Sequence, residues 1–145
     1  MRTQILSVTP TVTVGAYSAN DIVGGVLSFG ELVRASDLVA VQLDDGANQA
    51  GAYQLMLFSV SPPSAIADNG TPGITAADLA NCVAILHLTD TAGADSFGFT
   101  ATKAYFRQCR IGIGGGPIFG YLKALGTPTF TALCVTVKLH FDQVE

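Results

Sequence analysis

The chain has no tryptophan, only three cysteines and two histidines, and very little charge: 12% of its 145 residues are Asp, Glu, Lys or Arg. Without Trp there is no indole platform for stacking a sugar. An immunoglobulin-like sandwich also loses support, because its Cys-Trp-Cys spacing is absent. Cys82, Cys109 and Cys134 are too few and too scattered for a disulfide scaffold, and with no C-x-x-C spacing a structural zinc site is not expected. No run of 18 apolar residues suggests a membrane span, and the opening M-R-T-Q-I-L-S-V-T-P does not read as a signal peptide. The seven Lys and Arg are spread singly and the net charge is −4. Nucleic-acid affinity comes mainly from clustered cations, so no nucleic acid and no membrane is expected as a partner.

The shortage of charge carries the strongest functional signal. Soluble chains average about 25% charged residues. A single domain of this length exposes about 7,000 Å², so eighteen ionised side chains leave roughly one per 390 Å². A surface that sparse presents broad weakly polar patches, which usually mark interaction sites. The chain therefore reads as a component of an assembly. The competing reading is a compact Thr/Ser/Gly-rich surface with no partner.

What is present is β-pattern. Val12 and Val14 alternate with Thr11 and Thr13, predicting a first strand over about 8–15 after an N-terminal arm of residues 1–9. Asn20-Asp21 predicts a turn through side chains folded onto the local backbone. Ile22 to Phe29 resumes the apolar run, with Gly24-Gly25 marking a bulge or close backbone approach. Further strands are expected at Leu38–Leu43, Tyr53–Val60, Cys82–Leu88, Phe97–Lys103, Tyr105–Ile113 and Ile118–Leu125. The last segment alternates most cleanly, with Leu133, Val135, Val137, Leu139 and Phe141 on one face. Between them, Ser61–Ile74 is too rich in Pro and Gly for regular structure. Thr75 reads as an N-cap with Asp78 completing a capping box for one short helix. Eight or nine strands with Gly, Pro and Asn turns predict an all-β antiparallel sandwich, jelly-roll-like, as a single domain over 10–145.

The chemistry-bearing residues form no motif. The run Ile111–Pro117 (I-G-I-G-G-G-P) places Pro where a dinucleotide fingerprint needs its third Gly, and is read as a flexible loop. His87 is expected buried and satisfied and His140 at the surface, so a metal site with a converging carboxylate is not expected. There is no G-x-S-x-G elbow, although a Cys-His nucleophile leaves no trace in sequence alone. Asp44-Asp45 and Asp68-Asn69 are read as solvated turns, not Ca²⁺ loops. Arg107 and Arg110 with Tyr105 and Phe106 read as the wet side of a strand. Asn69-Gly70-Thr71 matches the glycosylation sequon and is read as a turn. No enzyme activity and no cofactor is expected.

Three segments carry a resemblance. A-Y-S-A-N-D-I-V-G-G-V-L-S-F (Ala16–Phe29), Y-Q-L-M-L-F-S-V-S-P-P-S (Tyr53–Ser64) and I-F-G-Y-L-K-A-L-G-T-P-T-F-T-A (Ile118–Ala132) together resemble small virion proteins of tailed bacteriophages, in particular capsid decoration (cement) proteins. None of the three is a catalytic motif. The resemblance implies a structural protein of the capsid surface, made in the host cytoplasm, that binds the major capsid protein and itself, as a trimer first and a dimer second. The contact elements expected from the residues are the arm (Arg2, Thr3, Gln4, Ile5, Leu6), the proline-rich loop (Pro62, Pro63, Ile66) and the glycine loop (Gly114, Gly115, Gly116), since arms and irregular loops can order on a partner. The alternative is a carbohydrate- or receptor-binding module of a tail or fibre, which needs Tyr17, Tyr53, Tyr105 and Tyr121 exposed on one face. A small hydrolase is a third and weaker reading.

Overall fold

Alternation sets the architecture. In β11 (Val135–Gln143) the odd residues Val135 to Phe141 are fully buried and Thr136, Lys138 and His140 between them face outward. Residues 2–46, 52–88, 95–96, 103–131 and 135–144 are described by the computed structural model, and the side chains of 95–96 and 103–107 are outside that description. Around β11 stand β1 (Thr3–Val8), β4 (Ser36–Asp45), β8 (Lys103–Ile113) and the two-residue β7 (Asp95–Ser96), in the order β1-β11-β4-β8-β7. The second sheet is β3 (Ile22–Leu32), β9 (Gly116–Ala124), β5 (Tyr53–Phe58) and β6 (Cys82–Leu88), in the order β3-β9-β5-β6. A small ribbon joins β2 (Gly15–Ala16) to β10 (Thr129–Phe130).

Every pairing is antiparallel. Counting the eight long strands in chain order, the first pairs with the eighth, the second with the seventh, the third with the sixth and the fourth with the fifth. That nested pairing, rolled so that β11 also meets β4 and β9 also meets β5, is the jelly roll. The expected fold class is therefore the observed one. The main core lies between the sheets, with Leu38, Val41, Leu43, Leu55, Leu57, Leu122, Val137 and Phe141 at 0% exposure.

A second, smaller core lies on the outer face of the β3-β9-β5-β6 sheet. Ile22, Met56, Phe58 and Tyr121 are buried there, with Val26, Ile66, Ile74, Cys82 and Phe119 packed against them. They are covered by the long excursion between β5 and β6, residues 59–81, which includes α1 (Ala76–Leu79). This explains why β5 is apolar on both faces. The α1 start is as the sequence predicts: the Thr75 side chain accepts from the Asp78 amide and the Asp78 carboxylate accepts from the Thr75 amide.

The N-terminus departs from expectation. Residues 3–8, read as an arm, form the outer strand β1, in unbroken register with β11 from Thr3 opposite Asp142 to Val8 opposite Val137. The strand expected over 8–15 does not form. Pro10 has no N–H for a ladder, and the Thr13 N–H is donated to Asp68 at 2.7 Å and Tyr17 at 2.8 Å. The glycine turn expected as a flexible loop is also ordered differently: Gly116 and Pro117 already belong to β9, opposite Leu32 and Glu31. A Cβ on Gly115 would stand 3.1 Å from the Arg34 Cα, so the turn packs directly on the β3–β4 connection.

Candidate functional site

Tyr17, Asp21, Gly24, Ser64 and Tyr121 turn out to hold the fold through hydrogen bonds. Asp68, in the excursion over the second sheet, accepts from the Thr13 N–H at 2.7 Å and the Thr13 hydroxyl at 2.6 Å through Oδ2. Through Oδ1 it accepts from the Tyr17 hydroxyl at 2.7 Å and the Gly24 N–H at 2.6 Å. Burial alone would raise its pKa, but these donors outweigh it and hold the carboxyl below the usual range. The Tyr17 hydroxyl is pushed up to about 12 by burial and by the Asp68 hydrogen bond and charge. Gly24 takes φ +82°, and a Cβ there would stand 2.2 Å from the Pro10 Cβ. Asp21 accepts from the Ser18 N–H at 2.7 Å, which closes the predicted turn, with Asn20 at φ 74°. One knot of side chains thus ties the β1–β3 connection to the excursion 59–81.

A second tie lies further along the same excursion. The Tyr121 hydroxyl meets the Ser64 hydroxyl at 2.8 Å and accepts from the Ile66 N–H at 2.9 Å. The fully buried Asp78 accepts from Ser64 N at 3.1 Å and Thr75 N at 2.8 Å. Burial opposes its ionisation, yet these amides hold its pKa below the ordinary value. The proline-rich segment is therefore bound to its own sheet: Pro62 is buried, Ile66 is half-buried in the second core, and Pro63 faces outward.

The other sequence-selected residues converge elsewhere. Arg2, Thr3 and Ile5 are exposed at the start of β1. The Gln4 side chain donates to the Glu31 carbonyl at 2.9 Å and accepts from the Val33 N–H at 3.4 Å, while Leu6 points into the core. The Gln143 N–H donates to the Arg2 carbonyl at 2.8 Å and the Val144 N–H to the Ala35 carbonyl at 3.2 Å. Gly115 rests on the same 33–35 turn, whereas a Cβ on its neighbour Gly114 would meet nothing within 4 Å. The result is one rim of the sandwich where Ile5, Val33 and Val144 are 55%, 76% and 52% exposed. Two of the three expected contact elements meet there, and Pro62, Pro63 and Ile66 do not. Val33 and Val144 were not legible as part of it; the one sequence signal was the Leu32-Val33 pair in the run E-L-V-R-A-S-D, of which Leu32 is buried and Val33 exposed.

The remaining candidates disperse. His87 lies exposed on the outer face of β6, contrary to the buried position expected, and bonds the Gln54 amide at 3.4 Å; His140 lies on the outer face of the opposite sheet. Asp44 pairs with Lys138 at 3.4 Å and Asp37 with Arg110 at 3.1 Å on the open face of the first sheet. Asp45, expected in a solvated turn, is fully buried. Burial pushes the Cys82 thiol up, which disfavours a thiolate. Tyr17, Tyr53 and Tyr121 are 2%, 0% and 0% exposed, so they offer no stacking surface. Tyr17 and Tyr53 instead pack on Phe130, with ring centroids at 5.1 and 6.4 Å. Cys134 and the side chains of Tyr105, Phe106 and Arg107 lie outside the described residues. Among the described residues no cluster of three His, Cys, Asp or Glu is arranged to hold a metal, and no helix is long and apolar enough to cross a membrane.

No family model matches the chain, and no curated protein matches it. Similar solved structures include one described as infectious bursal disease virus, Gx strain, at 12% identity and a TM-score of 0.36, and one described as the VP2 subviral particle of the same virus, at 10% identity and a TM-score of 0.31. Each match covers 97% of this chain but only 32% and 31% of those chains, so this chain spans about a third of the length of the proteins it is similar to.

Proposed function

We propose that this protein is a structural virion subunit, a decoration or cement protein that self-associates and binds neighbouring major capsid proteins on a phage head. The observation that carries the reading is the charge-poor exterior of a rigid sandwich. Of eighteen charged residues, Asp21, Asp45 and Asp78 are buried, leaving at most fifteen over 6888 Å², about one per 460 Å². The three exposed aliphatics of the rim add an apolar contact flanked by Arg2, Glu31 and Arg34. Each such contact is modest, since burial contributes about 25 cal/mol per Å² before association costs. A symmetric shell repeats it and converts modest contacts into stable occupancy.

The test is binding of the purified chain to empty heads of the phage that encodes it. Saturable, symmetric occupancy is expected for the wild type, and Val33→Asp is expected to weaken it at least about tenfold, as burying an unpaired charge costs over 1.4 kcal/mol. Antibody label confined to tails would overturn the head assignment and favour the tail-module reading.

A further inference from the structure

We infer that β1 is a docking edge for a second copy of this chain: two β1 strands pair antiparallel about a two-fold axis at Ile5 and join the two outer sheets into one. The inference deepens the reading above by naming how the chain self-associates.

The ladder fixes which groups are available. The Gln143 N–H bonds the Arg2 carbonyl, so Arg2 and Gln143 are a hydrogen-bonded pair. Alternation then directs the main-chain groups of Gln4, Leu6 and Val8 toward β11 and those of Thr3, Ile5 and Ser7 away from it, along the sheet edge. Thr3, Ile5 and Ser7 are all exposed. An exposed edge normally carries a guard: a lysine, a proline, a bulge or an inward charge. The segment T-Q-I-L-S-V has none of these, and its register with β11 runs without a shift.

The edge is also complementary to itself. Centring the two-fold on Ile5 sets Thr3 opposite Ser7, Ile5 opposite Ile5 and Ser7 opposite Thr3. All three are positions whose donors and acceptors point outward, so each N–H meets a carbonyl. The exposed Ile5 side chains cover each other on the outer face. Charge agrees: Arg2 falls opposite Val8, not opposite its own copy. Among the described residues, the exposed positions of β3 beneath this corner are Ser28, Gly30 and Glu31, and the Glu31 carbonyl is bonded by the Gln4 side chain of β1. A six-residue edge is small against the roughly 800 Å² per partner of a standard interface, so the isolated dimer is weak and concentration-dependent. A two-fold contact yields a dimer, where the family resemblance puts a trimer first.

Sedimentation equilibrium of the isolated chain tests this, with crosslinking to fix the register. The wild type is expected to dimerise in the micromolar-to-millimolar range. Ser7→Pro removes one outward donor without touching the β11 ladder, and Ile5→Lys installs an edge guard. Each is expected to weaken the dimer at least about tenfold, while Val60→Lys beyond the end of β5 leaves it unchanged. Ile5→Cys sits about 5.5 Å from its symmetry mate in a hydrogen-bonded pair, within disulfide reach, and is expected to crosslink. Thr3→Cys, about 14 Å from its mate, is not. Circular dichroism establishes that each variant is folded. A wild type that stays monomeric, guarded variants that dimerise as well as wild type, or Thr3→Cys crosslinking in preference to Ile5→Cys would overturn the proposal. Head binding by a strictly monomeric chain would sink the edge pairing and leave the decoration reading standing.

Discussion

Replacing Asp68 with alanine should be among the most damaging single changes away from the main core. Its two oxygens accept four hydrogen bonds, from Thr13 N, Thr13 Oγ1, Tyr17 Oη and Gly24 N. Thr13 is exposed and can turn to water, so its loss is small. The Tyr17 hydroxyl and Gly24 N–H are partly buried, and stranding a donor costs about 1–3 kcal/mol. Allowing for relaxation, the expected loss is about 3 kcal/mol. Unfolding entropy of about 2.1 cal/mol/K per residue over 145 residues gives roughly 0.3 kcal/mol/K, so Tm should fall about 10 °C. Urea and thermal unfolding followed by circular dichroism would measure it. The mechanism has a sharper signature in a double-mutant cycle with Tyr17→Phe, where a coupling of about 1–2 kcal/mol is expected because both changes remove one shared bond. A Tm within about 2 °C of wild type, or strictly additive losses, would refute the claim that this carboxylate latches the excursion 59–81 to the sandwich.

Three further outcomes follow from the same geometry. Gly24→Ala must adopt a positive φ and place a Cβ against Pro10, so it should cost about 3 kcal/mol in urea unfolding. Asp68 and Asp78 have lowered folded pKa values, so their stabilisation is full above the ordinary carboxylate value of about 3.9 and is lost as pH falls through the lower folded values. The urea midpoint should therefore drop as pH falls below the ordinary carboxylate value, and Asp68→Ala should flatten part of that drop. For Tyr17 the sign is opposite: its pKa is raised to about 12, so its contribution is intact below about pH 10 and lost as pH rises toward 12. Tyrosinate absorbance should show one fewer early-titrating tyrosine in wild type than in Asp68→Ala.

The sequence disclosed the fold where the cause was local. The alternation of Val135 to Phe141 and the Thr75–Asp78 cap each depend on neighbours a few residues away, and each forms as expected. Distant causes were not legible. The V-T-V run at 12–14 has strand pattern, yet its amide goes to Asp68, a partner fifty-five residues on. The apolar double face of Tyr53–Phe58 signalled burial but not that residues 59–81 provide the cover. Tyr17, Tyr53 and Tyr121 looked usable at the surface because a phenol tolerates either setting, and only the position of Phe130 and Ser64 puts them inside. The rim escaped notice because its members come from four separate chain segments.

The nested pairing has a consequence for synthesis. The strand that completes the outer sheet, β11, lies between β1 and β4, made more than a hundred and about ninety residues earlier. During synthesis β1 has no strand partner until residues 135–143 are made, so closure of that sheet is a late event. Pairings this far apart in sequence are slow to form, and throughout that wait the same uncharged ribbon that we assign to self-association is open to any nascent copy beside it.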